Sequence, residues 1–157
     1  MVGAGGKAFC AGGDIRAIYD SREDEAFDSI KRRFFFEEYI VDYQIAKMKP
    51  VQIALYNGIV MGGGVGISIN APIRIATEAS LWAMPETAIG LFPDVGGSFF
   101  LPKLDHGMGM YFGLTGSRLV GQDLVRANIA THFMTNEQAE LFKVELFKTL
   151  GPQATKE

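Results

Sequence analysis

Gly58-Ile59-Val60-Met61-Gly62-Gly63-Gly64-Val65-Gly66-Ile67 sets three consecutive glycines inside an apolar run that would bury without them. Glycine within an element costs about 0.5–1 kcal/mol relative to alanine, so a chain that keeps three of them needs a bare backbone. Two uses compete. The glycines permit close packing of a helix on a strand, or they let a ligand reach the amides that open a helix, which lack internal partners. A phosphate cradle is the commonest such ligand site, but neither phosphate motif is complete here. No lysine and hydroxyl follow at the P-loop spacing, and no acidic residue stands at the distance a dinucleotide site requires. The other ligand use is an oxyanion hole, in which two amides close on one carbonyl oxygen and each contributes about 3 kcal/mol to the transition state. A second bare turn, Cys10-Ala11-Gly12-Gly13-Asp14-Ile15, offers a partner amide from Gly13.

Outward from that run, the chain alternates strand and helix signals. Residues 3–14 read as a glycine-rich loop after a strand end. From Arg22 to Lys49 the pattern is helical, with Phe27, Ile30, Phe34, Val41, Ile45 and Met48 on one predicted face. Pro50 stops it after Lys47 and Lys49. Val51–Leu55 and Ile59–Met61 read as strands joined at Asn57-Gly58. The triple glycine then opens a predicted helix to about Asn70. Ile73–Ala76 and Leu81–Met84 are further strands; Ser98–Leu104, His106–Gly113 and Gln122–Ala127 are predicted helices. Asn128 suits a left-handed stop, and Thr135-Asn136-Glu137-Gln138 suits a capping box for a last helix ending near Gly151-Pro152. The expectation is one α/β domain over residues 1–157. Its abrupt opening and loose tail suggest a fragment.

Composition narrows the function classes. At 48% hydrophobic and 21% charged, 157 residues suffice for a core. A net charge of −3 gives no reason to expect nucleic acid. No apolar run approaches the ~20 residues that cross a bilayer, so no membrane partner is expected. The single cysteine, Cys10, forms no internal disulfide and fits a reducing compartment. It reads as packing rather than as a nucleophile. His106 and His132 pair with no Ser or Cys at a triad spacing, and no cluster has metal-ligand form. Lys7 and Arg16 flank the first loop, where a basic group would suit an anionic ligand.

Three motifs in order, Phe9-Cys-Ala-Gly-Gly-Asp-Ile15, Asn57 to Ile67, and Ala83-Met-Pro-Glu-Thr-Ala-Ile-Gly-Leu-Phe-Pro-Asp-Val-Gly-Gly-Ser98, resemble the crotonase (enoyl-CoA hydratase/isomerase) superfamily. The paired acids of Pro85 to Gly97, with Phe34-Phe-Phe-Glu-Glu-Tyr39 and Arg126-Ala-Asn-Ile-Ala-Thr-His-Phe133, resemble its 3-hydroxyisobutyryl-CoA hydrolase branch. The resemblance covers nearly the whole chain. It implies a crotonase (ClpP-like) fold of repeated ββα turns making two roughly perpendicular sheets, lacking here the opening strands and the C-terminal helical part. It implies a coenzyme A thioester as substrate, no separate cofactor, and a mitochondrial matrix location in valine catabolism, and it leaves room for self-association. It places the oxyanion donors on Gly13 and Gly63.

The acids are then weighed one by one. Glu86, flanked by apolar residues, is expected to be half-buried beside the pocket, where burial raises a carboxylate's pKa. The resemblance makes it the catalytic glutamate. Asp94 fits a helix N-cap equally well; the resemblance sets it at the substrate, where ordinary hydratases carry glycine. Glu38 interrupts the apolar helix face, so a basic partner or a polar pocket has to compensate it, and the resemblance makes it a substrate contact. Glu37 is expected to be exposed. Hydratases carry a second glutamate where this chain has Gly66, so hydrolysis is favoured over hydration. Whether Glu86 activates water or attacks directly stays open. The alternatives are an enoyl-CoA hydratase/isomerase and a truncated, non-catalytic acyl-CoA-binding protein.

Overall fold

The computed structural model describes residues 1–151. In chain order its elements are β1 (Ala8–Cys10), α1 (Ile15–Asp20), α2 (Phe27–Lys47), β2 (Ile53–Tyr56), β3 (Ile59–Met61), α3 (Gly63–Gly66), β4 (Ile73–Ala76), β5 (Leu81–Ala83), α4 (Gly97–Phe100), α5 (Met108–Thr115), β6 (Leu119–Val120), α6 (Asp123–Arg126), β7 (His132–Phe133) and α7 (Asn136–Leu150). Short 3-10 turns cover Glu86–Ile89, Leu101–Lys103 and Asp105–Gly107.

Successive strands go to different sheets. β1, β3 and β5 lie parallel in one sheet, closed by antiparallel β6, while β2, β4 and β7 form a parallel second sheet. The turn at Asn57-Gly58 carries the chain from β2 to β3, and residues 77–80 carry it from β4 to β5. Each pair is followed by helical structure, which is the expected ββα repeat. Polar groups at the crossings are paired: Ser80 Oγ donates to the Tyr56 carbonyl and accepts from the Thr77 amide at 2.7 Å. One buried cluster joins Ala54, Tyr56 and Ala76 of the second sheet to Val60 and Trp82 of the first and to Met84 just past β5. The apolar bias of these strands reflects burial between layers.

Several predicted boundaries shift. The glycine-opened helix is a single turn, Gly63–Gly66, with irregular turns to Asn70. Four residues, three of them glycine, do not propagate a helix. The long helix, expected from Arg22, starts at Phe27, and residues 15–20, for which no element was predicted, form α1 with Asp14 capping the Ala17 amide at 3.0 Å. Asn128 does take a left-handed conformation (φ 60°), and the Thr135/Gln138 capping box is present. The loose tail expected after Gly151 lies outside the described residues.

The largest correction concerns α2. Ile30, Val41 and Met48 of the predicted apolar face are exposed. The face turned to the molecule carries Phe27, Phe34, Phe35, Glu38, Asp42 and Ile45, and its one buried residue is Asp42. Spacings of four from Phe34 through Glu38 to Asp42 turn the face by about one residue from the apolar stripe.

Candidate functional site

A cavity of about 210 Å³ opens where α2, the loop before α1, the start of α3 and the 85–94 segment meet. Gly13, Gly63, Glu38, Glu86 and Asp94 all line it. The two glycine loops touch: a β-carbon on Gly12 would stand 3.2 Å from the Gly63 nitrogen. Gly63 is the first residue of α3, where an amide has no acceptor inside the helix. Among the described residues, neither the Gly13 nor the Gly63 amide donates in a turn, loop or cap hydrogen bond. Two unengaged amides therefore belong to one cavity.

Side chains of α2 fill the space beside these glycines, so a β-carbon there would have to displace them. The Phe34 ring occupies the place of any β-carbon on Gly13, and Glu38 Oε1 that of one on Gly63. Gly62 turns with φ 51°, a conformation other residues rarely adopt, and a β-carbon there would stand 3.3 Å from Glu86 Oε1.

Glu86 opens the 3-10 turn after β5 and is 5% exposed. Its Oε2 is fully buried with no hydrogen-bond partner. Burial, and then the charge of Asp94, push its pKa up to about 7, against the pull of a backbone hydrogen bond. Asp94 is 8% exposed and accepts a hydrogen bond at Oδ2 from the Tyr39 hydroxyl at 2.8 Å. The N-cap expected of its side chain is not formed: Gly96 is the N-cap of α4, without a side-chain bond, and only the Asp94 carbonyl meets the Gly97 amide, at 2.6 Å. Val95, a β-branched residue at φ 42°, holds the loop in a strained turn beside Asp94.

Glu38 faces the cavity without a basic partner. Every ion pair among the described residues lies elsewhere, Arg33 with exposed Glu37 being the nearest in sequence. What surrounds Glu38 is acidic: burial, then Asp94, Asp42 and Glu86, raise its pKa to about 7. The polar pocket expected as compensation is thus a cluster of carboxyl groups, with no lysine or arginine paired to Glu38 among the described residues.

Asp42 was not anticipated. It is 8% exposed, both carboxyl oxygens lack partners, and burial followed by Asp94 lifts its pKa to about 6. It lies one turn along α2 from Glu38, so the spacing that exposes Glu38 as anomalous marks Asp42 too. Its carboxyl sits over Gly66, where a β-carbon would meet Asp42 Oδ2 and Val95 Cβ at 2.7 Å each. Tyr39 was also missed, because a tyrosine beside two glutamates carries no periodic signal. Cys10 is half-buried, His106 and His132 are exposed, and none of the three lines the cavity. Lys7 is exposed and off the cavity, and Arg16 pairs with Asp20 at 3.0 Å. The arrangement can hold a carbonyl oxygen on two amides with a carboxyl group of near-neutral pKa alongside, which is the equipment of acyl transfer.

Fold and cavity define a protein of the crotonase type, and the chain belongs to the enoyl-CoA hydratase/isomerase family, whose model matches residues 1–156. Among solved structures it resembles an enoyl-CoA hydratase from Rhodobacter sphaeroides (TM-score 0.83, 35% identity, 90% of this chain and 42% of that one). A carnitinyl-CoA dehydratase from Mycobacterium thermoresistibile is similar (TM-score 0.81, 34% identity, 90% and 41%). Its curated relatives are more specific. It is 51% identical over 154 residues to the mitochondrial 3-hydroxyisobutyryl-CoA hydrolase of Rattus norvegicus, covering 98% of this chain and 40% of that protein. It is 48% identical over 157 residues to that of Dictyostelium discoideum, covering 97% and 41%. The chain spans about two fifths of the length of these relatives.

Proposed function

We propose that this chain carries the thioester-cleaving centre of a 3-hydroxyisobutyryl-CoA hydrolase, releasing 3-hydroxyisobutyrate and coenzyme A in mitochondrial valine breakdown. The observation that carries the reading is the single cavity shared by two unengaged glycine amides and a buried glutamate with a free oxygen. In this reading the Gly13 and Gly63 amides take the thioester oxygen as it becomes negative. Glu86, ionised in a good fraction of molecules near neutral pH, takes a proton from water or attacks the carbonyl itself. The carbon–sulfur bond breaks, the thiolate leaves and is protonated, and water supplies the hydroxyl of the acid product. Glu38, whose Oε1 lies beside Gly63, and Asp94 would hold the acyl hydroxyl. No separate cofactor enters this scheme.

Hydration of an enoyl thioester, the rival within the family, fits less well. A side chain at position 66 would need the space that Asp42 and Val95 fill, so no second carboxylate projects from α3. A non-catalytic acyl-CoA-binding role is the other rival. Thiol release from 3-hydroxyisobutyryl-CoA and hydration of crotonyl-CoA, measured side by side, separate all three. Thiol release without hydration is expected, and Glu86→Gln should lower it by about 10²–10⁴-fold while substrate binding persists. Near wild-type hydrolysis by Glu86→Gln would remove Glu86 from this role.

A further inference from the structure

The candidate cavity is one half of a longer cleft. From Phe35 to Lys47 helix α2 shares cavity walls with residues between Pro85 and Phe99, and a second cavity of about 470 Å³ lies further along the same seam. Its lining includes Tyr39, Asp42, Tyr43 and Ala46 from α2, and Val95 and Phe99 from the facing segment. Adjacent residues on each wall face different chambers. Glu38 lines the smaller cavity and Tyr39 the larger; Asp94 lines the smaller and Val95 the larger. Along this line the two walls are tied by the Tyr39 hydroxyl donating to Asp94 Oδ2 at 2.8 Å.

From this we infer that Tyr39 is a specificity-determining residue, a partition that ends the acyl-binding chamber and restricts the protein to short acyl thioesters. The inference rests on the thioester reading above and names its substrate class. An acyl chain held by its carbonyl at Gly13 and Gly63 lies in the chamber that Glu38 and Asp94 line, and the Tyr39–Asp94 bond stands between that chamber and the larger one. A short chain bearing a hydroxyl finds carboxyl groups there, Glu38 and Asp94. An alkyl chain of six or eight carbons would have to pass the tyrosine ring. Beyond it, Tyr43, Ala46, Val95 and Phe99 offer largely apolar surface of the kind that takes alkyl groups. The two chambers are about one helical turn apart, roughly 6 Å along α2, the reach of a few methylenes. Asp94 lends itself to both tasks because it has two oxygens: Oδ2 is engaged by Tyr39, and Oδ1 makes no hydrogen bond within the protein among the described residues.

The test is equilibrium binding, by calorimetry, of S-alkyl-CoA thioethers with four, six and eight carbons to the full-length protein and its variants. Thioethers are not cleaved, so the measurement stands whether or not the protein turns a thioester over. Failure of the hydrolase reading would show separately, as no thiol release from 3-hydroxyisobutyryl-CoA. The wild type is expected to gain nothing, or lose affinity, from four carbons to eight. Tyr39→Ala is expected to bind the eight-carbon thioether at least about 10-fold tighter relative to the four-carbon one, since each buried methylene is worth roughly 4-fold. Tyr39→Phe, which loses only the tie to Asp94, should move the same ratio by about 3-fold, and it decides alone should the alanine variant not fold. A wild type that already prefers eight carbons overturns the proposal, and so do variants that keep the wild-type ratio.

Discussion

Gly63 shows how one residue type can be dictated by chemistry and by space together. Its amide opens α3 without an internal acceptor, and Glu38 Oε1 occupies the place of a β-carbon. Alanine there would both shield the amide and push Glu38 off the cavity wall. Gly63→Ala is therefore expected to lower kcat by about 100-fold, the scale of losing one oxyanion donor, with an unchanged far-ultraviolet circular dichroism spectrum. An activity loss under 3-fold would mean that this amide does not hold the oxygen. Glu86 was legible beforehand for a related reason: a carboxylate inside Ala83-Met-Pro and Thr87-Ala-Ile-Gly-Leu has apolar neighbours on both sides, and it is indeed buried. The Tyr39–Asp94 bond was not legible, because it spans 55 positions and joins two segments whose separate patterns say nothing of one another.

At the level of elements, the strands were easiest to read and α2 hardest to orient. β3 and β4 carry their expected bounds because glycine, proline or asparagine brackets short apolar runs. α2 misled because its inward face holds two carboxyl groups, so an apolar stripe drawn through Val41 and Met48 points partly at solvent. α1 was invisible to periodicity at six residues, too short for a face to repeat. α7 is the converse case, where local chemistry suffices. Thr135 Oγ1 accepts from the Gln138 amide at 3.2 Å, and Gln138 Oε1 accepts from the Thr135 amide at 2.9 Å. Both groups lie at the surface, so their loss acts on the helix start alone. Thr135→Ala should cost about 1 kcal/mol, read as a lower urea midpoint with unchanged m-value. No shift in the midpoint would mean that solvent replaces the cap without loss.

For the molecule as a whole, the consequence of the site is a stability that should fall as pH rises. Glu38, Asp42 and Glu86 share one region with Asp94, and no lysine or arginine pairs with any of them among the described residues. Burial holds Asp42 near 6 and Glu38 and Glu86 near 7, against about 4 in an unfolded chain. Between pH 4 and 7 the folded protein thus keeps protons that the unfolded chain has released. The unfolded state binds fewer protons, so unfolding free energy declines with pH across that window. This contribution is fully present below pH 4 and gone above about pH 7. Asp42 makes the cleanest probe, because its carboxyl has no partner to lose and lies outside the residues lining the cavity. Asp42→Asn keeps the shape over Gly66 and removes the charge. At pH 7.5 it should stabilise the protein by about 1–2 kcal/mol in urea denaturation. At pH 4 the two proteins should be equal, because the aspartate is then largely neutral in the folded state and partly so in the unfolded one. Equal stability at both pH values would show that the Asp42 charge finds compensation, and a loss at pH 7.5 would show that the charge itself holds the helix against Gly66.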